Sequence, residues 1–264
     1  MIVRRFPDEW MVIDQAEHAR HTAAIAEAWS GGRHGPLPAA LITAARLHDI
    51  GWVEWDREPA LDAASGGPAN FTSVRDERHS VFYGRGIQNV AETDPYAGYL
   101  VSLHASGIYS GRYGWRGLEP IAWESIGDAG RRFLTEQRKY RRELARRLLV
   151  DEPAYIEFEA TWSFYMLLQV FDYLSLLCCL GLETYGCEPV PLGDGWERMD
   201  IQRTSGWSVA LDPFPFEGRA LELEVASRSL PARRFADAAD LHQALTAAPV
   251  VRRTTRYERL RKAA

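Results

Sequence analysis

The sequence predicts a mainly α fold, in which a helical bundle over residues 1–185 carries a small antiparallel β appendage over residues 186–264, α+β overall. Three observations support this prediction. Helical periodicity dominates before residue 185, residues 161–182 form one long apolar segment, and alternation of apolar and polar residues begins only after Gly193. We therefore treat the two parts as separate domains, with the chemistry expected in the first.

The composition is that of a folded globular protein. The chain has 264 residues, of which 46% are hydrophobic and 25% charged. A chain of this length buries enough surface to fold without disulfides or a structural metal, so any metal would serve chemistry. The net charge of −5 argues against nucleic acid or an anionic membrane as a partner. Three clustered cysteines and no apolar leader after the first arginines indicate a reducing cytoplasm.

Two helices are predicted near the N-terminus. The first covers residues 14–30 and starts at Asp14, a residue type that caps helix N-termini. The second begins at Pro38, which suits a first-turn position, and ends just after the adjacent pair His48 and Asp49. The pair therefore lies at a helix end, where side chains can project into a shared site.

The middle of the chain is predicted as loop and shorter helices. Residues 56–78 form a polar loop of a length that is often functional. Helices follow over 79–90 and 95–106, then a loop over 108–117 and a helix over 128–149. The last helix carries a run of arginines that we interpret as a solvated face, with attraction of an anionic substrate or partner as the alternative.

The apolar segment 161–182 is long enough to span a bilayer, but its centre holds Asp172. A carboxylate is costly in lipid, and the flanking residues Glu157, Glu159 and Glu183 are acidic rather than basic. We therefore predict a helix buried in the domain centre. A buried carboxylate needs a cation, hydrogen-bond donors or a raised pKa, and a metal bound by side chains from separate helices would satisfy Asp172.

The C-terminal part is predicted as a small antiparallel sheet. Apolar and polar residues alternate over 207–212 and over 221–225, on either side of the turn segment 213–216. One helix around 235–245 precedes a basic tail. We leave open whether this part covers the site as a lid or forms an oligomer contact, for instance in a homodimer.

The order of histidines and acids resembles the HD superfamily of metal-dependent enzymes, which is named after a His-Asp doublet. The residues that carry the resemblance are His18, His48, Asp49, His79, His104 and Asp172. More closely, several segments resemble a bacterial branch, the domain of unknown function 3891 family. These segments are QAEHA from residue 15, LHDIGW from 47, GGPANF from 66, LVSLHASGIY from 100 and VFDYLSL from 170.

The resemblance implies a helical bundle that binds two transition-metal ions. One ion would be held by His18, His48, Asp49 and Asp172, and the second by two further histidines, with Asp49 as the bridging catalytic carboxylate. Those histidines are His79 and His104. Imidazoles mixed with carboxylates suit Fe or Mn better than Mg or Ca, so we expect Fe or Mn.

His21 is an alternative to His18 because it lies one turn further along the same side of the helix. The segment QAEHA favours His18 as the ligand, which leaves His21 as a packing residue or as part of the site lining. His48 at a helix end, His79 among charged residues and His104 among apolar ones each have an ordinary structural explanation as well.

Three functions are compatible with these residues. The first is hydrolysis of a small phosphate ester by a metal-bound water, as in most HD proteins. The second is a mixed-valent di-iron oxygenase that acts on a small polar substrate. Trp52 favours it, because many HD hydrolases have a lysine or other polar residue there. The third is a metal- or ligand-binding module without catalysis. For an anionic small-molecule substrate, the candidate binding residues are Trp52, Asn70, Arg75, Arg78 and Arg112.

Overall fold

The computed structural model describes residues 1–31, 36–74, 76–111, 122–151, 158–182 and 186–261. The fold is α+β, with helices packed against a seven-stranded mixed sheet that curls into a half-barrel. The prediction of a mainly α bundle with a small β appendage is therefore wrong. The sheet is a principal part of the molecule, and it supports the helices that carry the candidate site.

Eight α-helices are present in the described residues. They are α1 (Gln15–Ala28), α2 (Ala39–Leu47), α3 (Val53–Arg57), α4 (Asp76–Thr93), α5 (Pro95–Ser110), α6 (Asp128–Asp151), α7 (Phe158–Leu180) and α8 (Ala238–Ala247). The ends of α5 illustrate how local sequence sets these bounds. The Asp94 carboxylate accepts hydrogen bonds from the backbone amides of Tyr96 and Ala97, and the helix is followed by Gly111, whose φ of 67° is left-handed.

The described residues contain seven strands. They are β1 (Ile2–Arg5), β2 (Glu9–Ile13), β3 (Cys187–Leu192), β4 (Gly195–Arg203), β5 (Ser208–Asp212), β6 (Ala220–Pro231) and β7 (Val250–Arg259). Their order across the sheet is β1-β2-β6-β7-β5-β4-β3. Neighbouring strands are antiparallel except β5 and β7, which are parallel. The two strands predicted from alternation lie within β5 and β6, and β7 separates them.

The hairpin formed by β1 and β2 was not predicted from the sequence. It pairs with β6, where Val12 lies opposite Arg228, so the sheet draws strands from both ends of the chain. Ile2, Met11 and Ile13 pack in one apolar cluster, while Val3 and Val12 on the other face join the main core. Because both faces are buried, the hairpin lacks the polar alternation by which a half-exposed strand is recognised. The division of the chain into two domains near residue 185 remains a prediction.

Helix α7 lies at the centre of the molecule. Leu168, Phe171, Leu174 and Leu177 are fully buried, and α7 contacts α1, α2 and α5 as well as strands of the sheet. The segment Glu159–Leu180 is apolar and long enough to cross a membrane. However, 89% of its most apolar stretch of 18 residues is buried inside the fold. The prediction of a core helix rather than a membrane span is confirmed, and the helix carries Asp172 into the interior.

The turn after His48 and Asp49 depends on a glycine. A Cβ atom at Gly51 would overlap the carbonyl group of Phe82 in α4, which is backbone and cannot move away cheaply. We expect Gly51→Ala to lower the free energy of unfolding by about 2–3 kcal/mol, measured by urea denaturation.

Gly84→Ala is the matched control, because no heavy atom lies within 4 Å of a Cβ at Gly84 in the same α4 helix. Alanine there should raise the free energy of unfolding by roughly 0.5–1 kcal/mol, since glycine is a poor helix residue. Equal effects of the two substitutions would contradict the close approach of Gly51 to α4.

Candidate metal centre

Five of the six predicted metal ligands meet at one buried place. Each belongs to, or directly follows, one of four helices, and each is at most 5% exposed. The five residues are His18 on α1, His48 and Asp49 after α2, His104 on α5 and Asp172 on α7. Ion ligands contributed by several helices are typical of metal sites inside helical proteins.

His18 links the two carboxylates of the cluster. Its Nε2 lies 2.7 Å from Asp172 Oδ1 and 3.9 Å from Asp49 Oδ2. Its other ring nitrogen, Nδ1, lies 2.8 Å from Ser175 Oγ, one turn beyond Asp172 on α7. One imidazole nitrogen therefore faces the acids while the other is held by the protein.

His48 is oriented by its own helix. Its Nδ1 donates to the Ala45 carbonyl oxygen at 2.9 Å, which directs Nε2 toward the acids. Nε2 lies 3.5 Å from Asp49 Oδ2 and 3.6 Å from Asp172 Oδ1, and it has no hydrogen-bond partner. Burial opposes a charged imidazole, but the adjacent carboxylates of Asp49 and Asp172 outweigh it and raise the pKa of His48 to about 9. The position attracts a cation, either a proton or a metal ion.

His104 and Asp172 complete the cluster on the side of α5. His104 Nε2 lies 3.8 Å from Asp172 Oδ2, and the rings of His104 and His48 are 5.2 Å apart in an edge-on arrangement. Burial lowers the pKa of His104 to about 4, so its imidazole is neutral near pH 7. Burial alone would raise the pKa of Asp172, but the hydrogen bond with His18 and the nearby imidazole of His48 hold it well below its usual range.

The ligand atoms form two overlapping groups. His18, His48 and Asp49 form one, and His48, His104 and Asp172 form the other, with all atoms of a group within 4.8 Å of one another. His48 belongs to both. Neutral imidazoles together with carboxylates form a donor set that suits ions such as Fe or Mn. These residues fit one transition-metal ion and leave further donors beside it.

Tyr83 is a site residue that the sequence analysis missed. Its hydroxyl donates to Asp49 Oδ1 at 3.0 Å, which leaves Oδ2 turned toward His18 and His48. Burial and the charge of Asp49 raise the pKa of Tyr83 well above its usual value, so it remains a donor. Tyr83 lies four residues after His79 on α4, and this helical spacing is the one sequence signal that could have identified it.

His79 lies beside the cluster rather than within either ligand group. Its side chain is half-buried, and Nδ1 is 2.7 Å from the Tyr109 hydroxyl. Its ring packs against Trp52 at 5.3 Å and against Tyr83 at 4.7 Å. His79 thus lines the approach to the ligands, and its expected contact with a second ion remains a prediction.

A cavity of about 330 Å³ opens onto the cluster. Its polar end is formed by His18, Asp49, His79 and Asp172. Its remaining wall consists of Phe71, Tyr83, Ile108, Gly111 and Leu176. A second hollow of about 290 Å³ shares Phe71, His79 and Ile108 with it. The volume is suited to a small molecule.

The predicted substrate-binding residues are not among the residues that line this cavity in the described structure. Trp52 is fully buried against its aromatic neighbours, and Asn70 donates from Nδ2 to the Val3 carbonyl oxygen. Arg78 is exposed and lines a different hollow on the surface. Arg75 and Arg112 lie outside the described residues.

His21 is buried next to the cluster but does not line the cavity. Its Nδ1 lies 2.9 Å from Ser175 Oγ, and its Nε2 lies 2.8 Å from Thr255 Oγ1 on β7. Burial, with the nearby His18 and Arg20, lowers the pKa of His21 to about 3. Between His18 and His21, the structure therefore places His18 against the acidic residues.

The fold and this cluster define an α+β protein with a buried candidate metal centre. The model of the family described as protein of unknown function (DUF3891) matches residues 1–232, and the chain belongs to this family. The resemblance to this family is thereby confirmed. No curated protein and no solved structure matches the chain.

The raised pKa of His48 makes a prediction for the metal-free protein. Because the folded-state pKa of about 9 exceeds the ordinary histidine pKa of 6.5, the stabilisation is complete below pH 6.5 and is lost as pH rises through 9. We expect the free energy of unfolding to fall by a few kcal/mol, on the order of 1.4 kcal/mol per pKa unit, over this range.

The measurement is urea denaturation of chelator-treated protein between pH 6 and 10. His48→Gln lacks the titrating group. The difference in the free energy of unfolding between the wild type and this variant should therefore shrink with rising pH. A difference that stays constant would show that the two carboxylates do not raise the pKa of His48.

Proposed function

We propose that this chain is a metal-dependent hydrolase of the HD type that cleaves a small phosphate ester. The observation that carries the proposal is the position of His48 Nε2, which faces Asp49 and Asp172 at 3.5 and 3.6 Å without a hydrogen bond. A neutral His48 presents a lone pair there, because its Nδ1 proton is donated to Ala45. A bound cation would satisfy that lone pair and both carboxylates together.

The residues that would hold the first ion are His18, His48, Asp49 and Asp172. The HD pattern assigns a second ion to His79 and His104, with Asp49 as the bridge. His104 is already within 3.8 Å of Asp172, which makes it a further donor for either ion. Iron or manganese is the expected metal, because the donors are imidazole and carboxylate.

A bound ion of this kind supplies an activated water and neutralises the charge of a phosphate group. The protein's own residues supply orientation. The hydroxyl of Tyr83 holds Asp49 through Oδ1, and the Ala45 carbonyl holds the ring of His48. Phe71, Ile108 and Leu176 line the cavity next to the acids and provide an apolar wall. These contacts favour chemistry at the polar end, with the substrate body against the apolar wall.

The apolar wall also supports a second candidate, a di-iron oxygenase. In the described residues, the lining of the cavity includes no lysine or arginine that could pair with a phosphate. Its wall of Phe71, Ile108 and Leu176 suits a substrate whose reacting centre carries C–H bonds. The aromatic contact of Trp52 with His79 adds to the apolar character of this side.

The test begins with protein purified without added metal. We expect elemental analysis to find iron or manganese in the wild type, and a panel of phosphate monoesters and diesters to identify a substrate by release of phosphate or of an alcohol. His48→Gln removes a proposed ligand and should lower both metal content and activity by at least about 100-fold. This factor is the upper end of the range for loss of an outer-shell partner, which only orients a ligand.

His242→Gln is the matched control, because His242 is exposed on α8 and belongs to neither ligand group. It should retain metal and activity. Substrate-dependent oxygen uptake without phosphate release would favour the oxygenase. Bound metal with neither activity would favour the binding module, and wild-type protein that takes up neither metal would contradict both the hydrolase and the oxygenase.

A further inference from the structure

A line of buried hydrogen bonds connects the candidate metal centre to the sheet. It runs from His18 Nδ1 to Ser175 Oγ at 2.8 Å, then to His21 Nδ1 at 2.9 Å. His21 Nε2 lies 2.8 Å from Thr255 Oγ1, which donates to the Leu223 carbonyl oxygen at 3.3 Å. The four side chains are at most 1% exposed, so water does not compete for these contacts.

We infer that Ser175, His21 and Thr255 are positioning residues that hold the Nε2 lone pair of His18 toward the bound metal. Strand β7 thereby contributes to metal affinity although it supplies no ligand. The inference rests on the proposed function, because it assigns a role to these residues only if His18 is a ligand.

The order of protons along the line follows from the donors available. When His18 Nε2 binds an ion, its single proton is on Nδ1 and is donated to Ser175 Oγ. The Ser175 hydroxyl then donates its own proton to His21 Nδ1. A neutral His21 consequently carries its proton on Nε2 and donates to Thr255, whose hydroxyl donates to the Leu223 carbonyl. Every donor has an acceptor in this arrangement.

In a competing arrangement, the hydrogen bonds between Ser175, His21 and Thr255 run in the opposite direction. The Ser175 hydroxyl could instead donate to the His18 carbonyl oxygen, with His21 protonated on Nδ1 and accepting from Thr255. That contact to the carbonyl is 3.4 Å, against 2.9 Å to His21 Nδ1, and is therefore the weaker one. The carbonyl of His18 also already accepts the Thr22 hydroxyl at 2.9 Å. The two arrangements differ in the tautomer of His21.

The first experiment measures the affinity of the full chain for Zn²⁺, after metal removal, by competition with a chelator. Ser175→Ala removes the acceptor of His18 Nδ1 and should weaken Zn²⁺ binding by about 10–100-fold, as for other outer-shell partners of histidine ligands. Thr255→Val changes only the far end of the line and should weaken binding by a smaller factor.

Thr22→Val is the matched control. Thr22 is as fully buried as Thr255, and its hydroxyl also lies near His18, but it contacts the backbone carbonyl rather than the ring. The affinity of Thr22→Val for Zn²⁺ should stay within about twofold of that of the wild type, because outer-shell residues affect metal binding through the imidazole ring of His18. Urea denaturation of all three variants separates lost affinity from lost folding, and Thr255→Val provides the test if Ser175→Ala fails to fold.

The second experiment determines the tautomer of His21 by ¹⁵N NMR of the Zn²⁺-loaded wild type labelled at histidine, with His21→Gln used for assignment. We expect the proton on Nε2. The positioning role requires this tautomer of His21, whereas a purely structural role does not. A proton on Nδ1 of His21 would therefore overturn the inference.

The outcomes distinguish the inference from the function on which it rests. Wild-type affinity in both Ser175→Ala and Thr255→Val would overturn the positioning role and leave the metal site intact. Absence of Zn²⁺ binding by the wild type would overturn both. Weaker binding in these variants, with Thr22→Val unchanged and His21 protonated on Nε2, would support the positioning role.

Discussion

The structure depends on two carboxylates, Asp49 and Asp172, that are buried in the helical core. Both are at most 5% exposed, and a buried ionised carboxylate without a cation or donors is strongly destabilising. Three histidines surround them, and the closest contact is 2.7 Å between His18 and Asp172. This compensation explains why an apolar helix such as α7 tolerates an acid at its centre, and why the surrounding helices converge on that point.

The sheet explains how such a cluster keeps its geometry. α1 packs on β6, and α7 packs on β1, β3 and β5, so the helices carrying His18 and Asp172 rest on strands from both ends of the chain. The same sheet reaches the ligands through Thr255, His21 and Ser175. Support of this kind reduces the number of orientations available to a metal-binding side chain before an ion binds. Orienting these side chains is the contribution that a protein makes beyond the donor atoms themselves.

Most of the residues of the buried His/Asp cluster could be predicted from the sequence, whereas their surroundings could not. The doublet His48 and Asp49 at a helix end, and Asp172 in an otherwise apolar helix, are unusual enough to identify without a structure. Tyr83 has only its spacing of four residues from His79 as a signal, and Ser175 is a common residue type with no local signal. Their importance arises from contacts across 34 and 157 positions of the chain, to Asp49 and His18 respectively.

By itself, the sequence determined most of the helices, the burial of α7 and the acids and histidines that are candidates for a shared site, because periodicity and the cost of a buried charge are local properties. Only the tertiary structure decided the seven-stranded sheet. The hairpin formed by β1 and β2 is apolar on both faces, and its partner β6 lies more than 200 residues away, as their pairing through Val12 and Arg228 illustrates. Pairing between such distant segments is decided by packing of the whole chain, and no local pattern encodes it.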